Sequence, residues 1–152
     1  MPHFTLAISP LGPLLTAFIG VSRERYEALQ KEGQTAPGPI KIQALVDTGA
    51  TGTVIDTGVL AQLGVTPTGR VPVHTPSTSV TAPHEANQFD VSVIIPGATQ
   101  QTRNHVVPAL PVIEAQLAHQ GYHALIGRDI LASCILVYAG HEGQAGIFTL
   151  SY

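Results

Sequence analysis

Apolar residues along this chain come in short runs separated by glycine, proline or polar breaks, a pattern that favours strands over long helices. Residues 3–9 (HFTLAIS) predict a first strand, Pro10-Leu11-Gly12-Pro13 a turn, and Leu14–Val21 (LLTAFIGV) a second strand. Ile40–Val46 (IKIQALV) reads as a strand that becomes fully buried towards its end. Residues 57–64 (TGVLAQLG) predict a short helix closed by Gly64, where a left-handed cap suits glycine. Residues 89–95 (FDVSVII) alternate as a strand before the Pro96-Gly97 turn, and residues 102–107 predict another. Pro111 and Gly121 frame a predicted helix over PVIEAQLAHQG. HALIGRDILASC runs an apolar strand into a glycine and a short helix, and the C-terminal ILVYAG and GIFTLSY read as a hairpin. The expected class is mainly β with short helices, in a single domain over residues 1–152 without internal duplication.

Two segments interrupt this pattern. Residues 22–39 have a Ser-x-x-x-Tyr start and a Gly/Pro-rich end, and hold three of the seven Lys and Arg residues: Arg23, Arg25 and Lys31. They predict a surface insertion carrying a short exposed helix. Residues 71–88 (VPVHTPSTSVTAPHEANQ) are polar and rich in Ser, Thr and Pro, with β-type flanks.

Composition narrows the function. With 152 residues, 44% hydrophobic and 11% charged, the chain can bury a core without disulfides. A formal charge of -3 gives no basic footprint, so no nucleic-acid partner is expected. Cys134 is the single cysteine, which excludes an intrachain disulfide framework; in its apolar run it reads as a core residue. The apolar segment 4–21 is broken by Pro10, Gly12 and Pro13, and no Lys or Arg precedes it. That fits neither a signal peptide nor a membrane helix, so the expectation is a cytoplasmic protein without a membrane partner. Among seven histidines, His119 and His123 flank Gly121, and HEANQ at His84 lacks the second histidine of a zinc-protease motif. No metal and no cofactor is expected.

Chemistry concentrates in ALVDTGATGTVIDTGVLAQLG, where Asp-Thr-Gly occurs at Asp47 and again nine residues on at Asp56. A catalytic carboxylate needs a rigid, partly desolvated seat. Asp47 ends a hydrophobic strand, with the Thr48 hydroxyl beside it and Gly49 permitting close backbone approach. Asp56 stands just before a predicted helix, where aspartate commonly caps free N–H groups. Asp47 is therefore the candidate, and Asp56 the cap.

Some eighty residues later comes ALIGRDIL, an apolar pair followed by Gly-Arg and a helix. Together with ALVDTGA it resembles the retropepsin-like aspartic proteases, the retroviral proteases and their cellular relatives. The resemblance covers nearly the whole chain in element order. It implies a retropepsin-like single-lobe fold with Asp47 as the catalytic aspartate. Thr48 would brace the two active-site loops across a dimer, Gly49 would face substrate backbone, and Ala50 matches a small residue of retroviral members. Ile126, Gly127 and Arg128 would pack behind the loop. Retroviral enzymes commonly place an acidic residue where this chain has Thr51, so Arg128 needs another partner, Asp129 or a backbone carbonyl. Residues 73–87 would form the flap, with His74, Thr75, Pro76, Ser77, Thr78 and Ser79 at its centre; the stretch is Pro/Ser/Thr-rich where retroviral flaps are glycine-rich.

Aspartic proteolysis needs two carboxylates sharing one proton, as in the related dyads from which that rule is drawn. One chain supplies one suitable aspartate, so the expectation is a two-fold homodimer acting on a peptide or protein substrate. The N-terminal strand and C-terminal hairpin are the expected intermolecular sheet. Ala50 carries no hydroxyl to stabilise an ionised dyad, which predicts a less acidic optimum than in relatives with Ser or Thr there. The competing reading is a non-catalytic peptide-binding or scaffolding dimer, but binding alone does not require Asp-Thr-Gly-Ala to be intact.

Overall fold

The computed structural model describes residues 1–74, 84–141 and 144–152. The elements follow in the order β1 (His3–Ala7), β2 (Leu14–Val21), α1 (Arg23–Lys31), β3 (Ile40–Val46), β4 (Val54–Asp56), α2 (Thr57–Leu63), β5 (Gly69–Val73), β6 (His84–Ile95) and β7 (His105–Ala115). A 3₁₀ turn (Ala118–Gln120), β8 (Ala124–Ile126), α3 (Arg128–Leu131), β9 (Ile135–Ala139) and β10 (Ile147–Ser151) complete the chain. It is mainly β with short helices, as the sequence predicts.

The large sheet has the order β2-β3-β8-β4-β7-β6-β5, and β2 also pairs with β6, so six strands close on themselves and β5 hangs as an edge. Its interior is filled by alternate residues, since successive side chains of a strand point to opposite faces. Leu15, Ala17 and Ile19 of β2, Ile42, Ala44 and Val46 of β3, and Phe89, Val91, Val93 and Ile95 of β6 are all buried there. Val59, Leu60 and Leu63 of α2 join the same core. A second sheet, β1-β10-β9, lays Phe4, Phe148 and Leu150 on it, and Phe4 meets Phe148 edge to face at 6.3 Å.

Local chemistry explains the boundaries. Ser22 caps α1 by accepting from the Arg25 amide, and Gly64 ends α2 at φ 69°, a conformation few residues other than glycine adopt readily.

Three expectations need correction. The helix predicted over residues 111–121 does not form. Residues 111–115 belong to β7, whose Ile113, Glu114 and Ala115 pair in parallel with β4; only one 3₁₀ turn precedes Gly121, at φ 91°. Pairing with two neighbouring strands outweighs the Pro-to-Gly frame. The strand expected at 102–107 likewise starts at His105 and continues through Pro108. Proline is tolerated there because Val91 faces Leu110 while Val93 faces Val107, so Pro108 and Ala109 together oppose Ser92 in a bulge. The strand expected at 89–95 begins earlier, at His84, because its polar first residues pair with β5.

β1 pairs along its whole length with β10 of the same chain. Among the described residues, no helix is long and apolar enough to cross a membrane.

Candidate active site

Strand β3 delivers Asp47 at its C-terminal end, and β8 runs parallel beside it with Val46 opposite Ile126. The register continues into the loop, where the Asp47 amide donates to the Ile126 carbonyl at 3.0 Å. Beyond Ile126 the chain turns under the loop, and the Arg128 amide donates to the Ala50 carbonyl, also at 3.0 Å. Residues 47–50 are thus pinned at both ends by one short segment. Asp47 itself is half-buried, and its Oδ1 accepts from the Gly49 amide at 2.8 Å. That bond orients the carboxylate and leaves Oδ2 for other work.

Gly127 sits against the same loop so closely that an added Cβ would lie 2.4 Å from the Gly52 carbonyl oxygen. No side chain fits there, so glycine is required by space. Arg128 then reaches across the loop: Nη1 donates to the Thr48 carbonyl and Nη2 to the Thr51 hydroxyl, each at 3.1 Å. Thr51 is therefore the partner of Arg128, together with a backbone carbonyl; Asp129 is not.

Asp129 does something the sequence reading missed. Its Oδ2 accepts from the Thr53 amide at 2.8 Å, and its Oδ1 from the Thr53 hydroxyl at 2.7 Å and the Ile130 amide at 2.8 Å. The Thr53 oxygen in turn accepts from the Gly127 amide at 3.2 Å. Thr53 is fully buried, so this network satisfies polar groups that water cannot reach. It ties the far end of the loop to the start of α3. No local sequence signal linked Thr53 and Asp129, which lie 76 residues apart and meet only once β8 is placed beside β4.

Asp56 occupies a different environment. It is 6% exposed, and it ends β4 as the N-cap of α2. Its Oδ1 accepts from the Gly58 amide at 2.8 Å, and its Oδ2 from the amides of Leu117 and Ala118 at 2.7 and 2.9 Å. Burial pushes its pKa up, but the Leu117, Ala118 and Gly58 amides and the nearby His123 outweigh this and hold it below the ordinary 3.8. Both oxygens are committed to backbone N–H groups, as the capping expectation requires. The second Asp-Thr-Gly is architecture.

The other predicted positions divide. Asp47, Thr48, Gly49, Ala50, Ile126, Gly127 and Arg128 converge on the one loop. Of the predicted flap, Val73 pairs with His84 where β5 meets β6, and His74 follows on the β5 side. Thr75, Pro76, Ser77, Thr78 and Ser79 lie outside the described residues. Among the described residues no cluster of three His, Cys, Asp or Glu side chains could hold a metal.

A retropepsin-like aspartic protease from Rickettsia conorii has a similar structure, with a TM-score of 0.50 at 14% identity over 99% of this chain and 93% of that one. The retroviral protease-like domain of Ddi1 from Leishmania major aligns with a TM-score of 0.38 at 14% identity, over 90% of this chain and 94% of that one. No curated protein matches in a sequence search. The aspartyl protease family profile matches residues 33–130, which take in both the Asp47 loop and the Gly127-Arg128 segment behind it. With its fold retropepsin-like and that match spanning most of the chain, the protein belongs to the aspartyl protease family.

Proposed function

We propose that the chain is an aspartic endopeptidase that works as a homodimer, with one Asp47 carboxylate from each subunit sharing a proton and a water. The observation that carries this reading is the contrast between the two Asp-Thr-Gly sequences. Asp47 stands half-buried on a braced loop with Oδ2 uncommitted to the described hydrogen bonds, while both Asp56 oxygens are used as caps. A chain with one such loop needs a second copy to form a dyad.

In the reaction, the ionised Asp47 takes a proton from water as the water oxygen bonds to the scissile carbonyl carbon. The protonated Asp47 of the partner subunit gives its proton to the carbonyl oxygen. The resulting diol collapses, the C–N bond breaks, and the amine leaves with a proton from the dyad. Residues 73–87 act as the flap, adding strand-like hydrogen bonds to an extended peptide and excluding water.

The test is incubation with a mixed peptide library from acidic to neutral pH, beside Asp47→Asn and Asp56→Asn variants. Wild type is expected to cleave, Asp47→Asn to fold normally and not cleave, and Asp56→Asn to cleave in proportion to its folded fraction. A wild type that cleaves nothing supports the peptide-binding alternative instead. Folded Asp56→Asn as inactive as Asp47→Asn overturns the assignment, and an active, strictly monomeric wild type overturns the shared dyad.

A further inference from the structure

The turn between β6 and β7 holds its last residues in place. The Thr102 amide donates to the Thr99 carbonyl at 3.0 Å, the two threonine hydroxyls meet at 2.9 Å, and the Gly97 amide donates to Asn104 Oδ1 at 3.0 Å. Gly97 lies so close to Thr102 that an added Cβ would come within 2.5 Å of its carbonyl oxygen. Arg103, Asn104, His105 and Val106 leave this turn along one wall of a cavity of about 200 Å³, whose remaining lining is Pro2 and Tyr152. The Tyr152 amide donates to the Pro2 carbonyl at 3.0 Å, which ties those two residues together. No residue of the Asp47 loop lines this cavity.

Its polar groups are unbalanced. Among the described residues Arg103 has neither an acidic partner nor a side-chain hydrogen bond. Asn104 spends its oxygen on the turn, which leaves both amide N–H donors for another acceptor. His105 contributes a face and no charge at pH 7: its ring lies 5.1 Å from that of Tyr152, and burial holds its pKa below the ordinary 6.5. Val106, 53% exposed, and Pro2 add apolar surface.

We propose that this cavity binds a small monocarboxylate with an apolar body. The Arg103 guanidinium and the Asn104 amide hold the carboxylate, while Pro2, Val106 and the paired rings of His105 and Tyr152 hold the body.

Charge and size select this ligand class. A guanidinium forks onto both oxygens of a carboxylate, and such charge-assisted bonds are about twice as strong as neutral ones. One cation and one amide match one negative charge, whereas a phosphate dianion would keep much of its charge uncompensated. Pockets for drug-sized ligands run to roughly 300–1,000 Å³, so the molecule taken here is smaller, of the size of a single ring. Because the turn already fixes Asn104, little ordering is required when the ligand arrives. The site is independent of the peptidase reading, and neither depends on the other's test.

That test is an NMR titration at pH 7 with benzoate, with benzamide as its uncharged counterpart, and with inorganic phosphate. The proteins are wild type, Arg103→Gln, Asn104→Asp and, as an exposed cation elsewhere, Lys41→Gln. Asn104→Asp keeps the acceptor for Gly97 while exchanging the amide donors for a charge that repels the ligand. Expected are saturating shifts of the Asn104, His105 and Val106 amides with benzoate. The dissociation constant should rise at least tenfold in R103Q and N104D and stay within twofold of wild type in K41Q. Benzoate that leaves these three amides unmoved, or binds R103Q and N104D as it binds wild type, overturns the site. Benzamide binding as tightly as benzoate overturns the anion reading, and phosphate binding more tightly overturns the choice of carboxylate. Should R103Q fail to fold, N104D and the benzamide comparison decide.

Discussion

Arg128 and Thr51 meet through a guanidinium–hydroxyl hydrogen bond of 3.1 Å, and the same guanidinium holds the Thr48 carbonyl. The cation is exposed, so its worth lies in geometry more than in charge. It spans the loop that presents Asp47 and fixes both of its shoulders.

Removing one of these bonds and removing both should therefore differ. Thr51→Ala is expected to cost at most about 1 kcal/mol of stability and to lower kcat/KM modestly. Arg128→Ala also releases the Thr48 carbonyl and is expected to lower kcat/KM at least tenfold while the chain stays folded. Peptide-cleavage kinetics beside thermal unfolding of the two variants separate these outcomes. Equal losses would mean that the Thr48 bond contributes nothing.

Gly127 tests the loop's spacing. A methyl group placed 2.4 Å from the Gly52 oxygen cannot be accommodated by rotating a side chain, because the nearest atoms are all Gly52 backbone. Gly127→Ala is expected to cost about 3 kcal/mol or more and to abolish cleavage even where the variant folds. Denaturant unfolding gives the first figure and the peptide assay the second.

Asp56 makes a prediction in pH. Its folded pKa lies below the ordinary 3.8, so the charged carboxylate stabilises the fold at pH values above 3.8. That contribution is lost as pH falls below 3.8 and through the lower folded value. Replacing Asp56 with Ala removes a helix cap and leaves buried amides unpaired, a cost of about 2–4 kcal/mol at neutral pH. The difference in unfolding free energy between wild type and Asp56→Ala should be constant above pH 5 and shrink towards pH 2. A difference that grows on acidification contradicts the sign.

Ala50 bears on the activity profile. A hydroxyl beside an ionised carboxylate stabilises its charge and lowers its pKa. Ala50→Ser or Ala50→Thr is expected to move the acidic limb of the pH–rate profile to lower pH. An unchanged limb in a folded, active variant removes Ala50 from the explanation of the optimum.

How far the sequence could be read depended on whether a signal was local. β2 and β3 were legible residue for residue, and α2 to within its cap, because apolar alternation, an aspartate cap and a glycine stop all lie within the segment. Asp47, Gly127 and Arg128 were legible through their motifs. β7 was not, since Pro108 and Pro111 suggest a break unless the bulge opposite Ser92 is already known. The pairing of Thr53 with Asp129 was invisible for a related reason. Each is an ordinary polar residue, and only the placing of β8 between β3 and β4 brings them within hydrogen-bond reach.

The parallel pairing of β3 with β8 also sets an order of assembly. The Ile126 carbonyl and the Arg128 side chain reach the Asp47 loop from far along the chain, Arg128 from 80 residues beyond Thr48, and contacts of such long sequence separation must first meet the cost of loop closure. A chain still being synthesised carries Asp-Thr-Gly early but lacks the bonds from Ile126 and Arg128 until β8 and α3 have emerged. On the proposed peptidase reading, a nascent chain that has not yet reached Arg128 is unarmed.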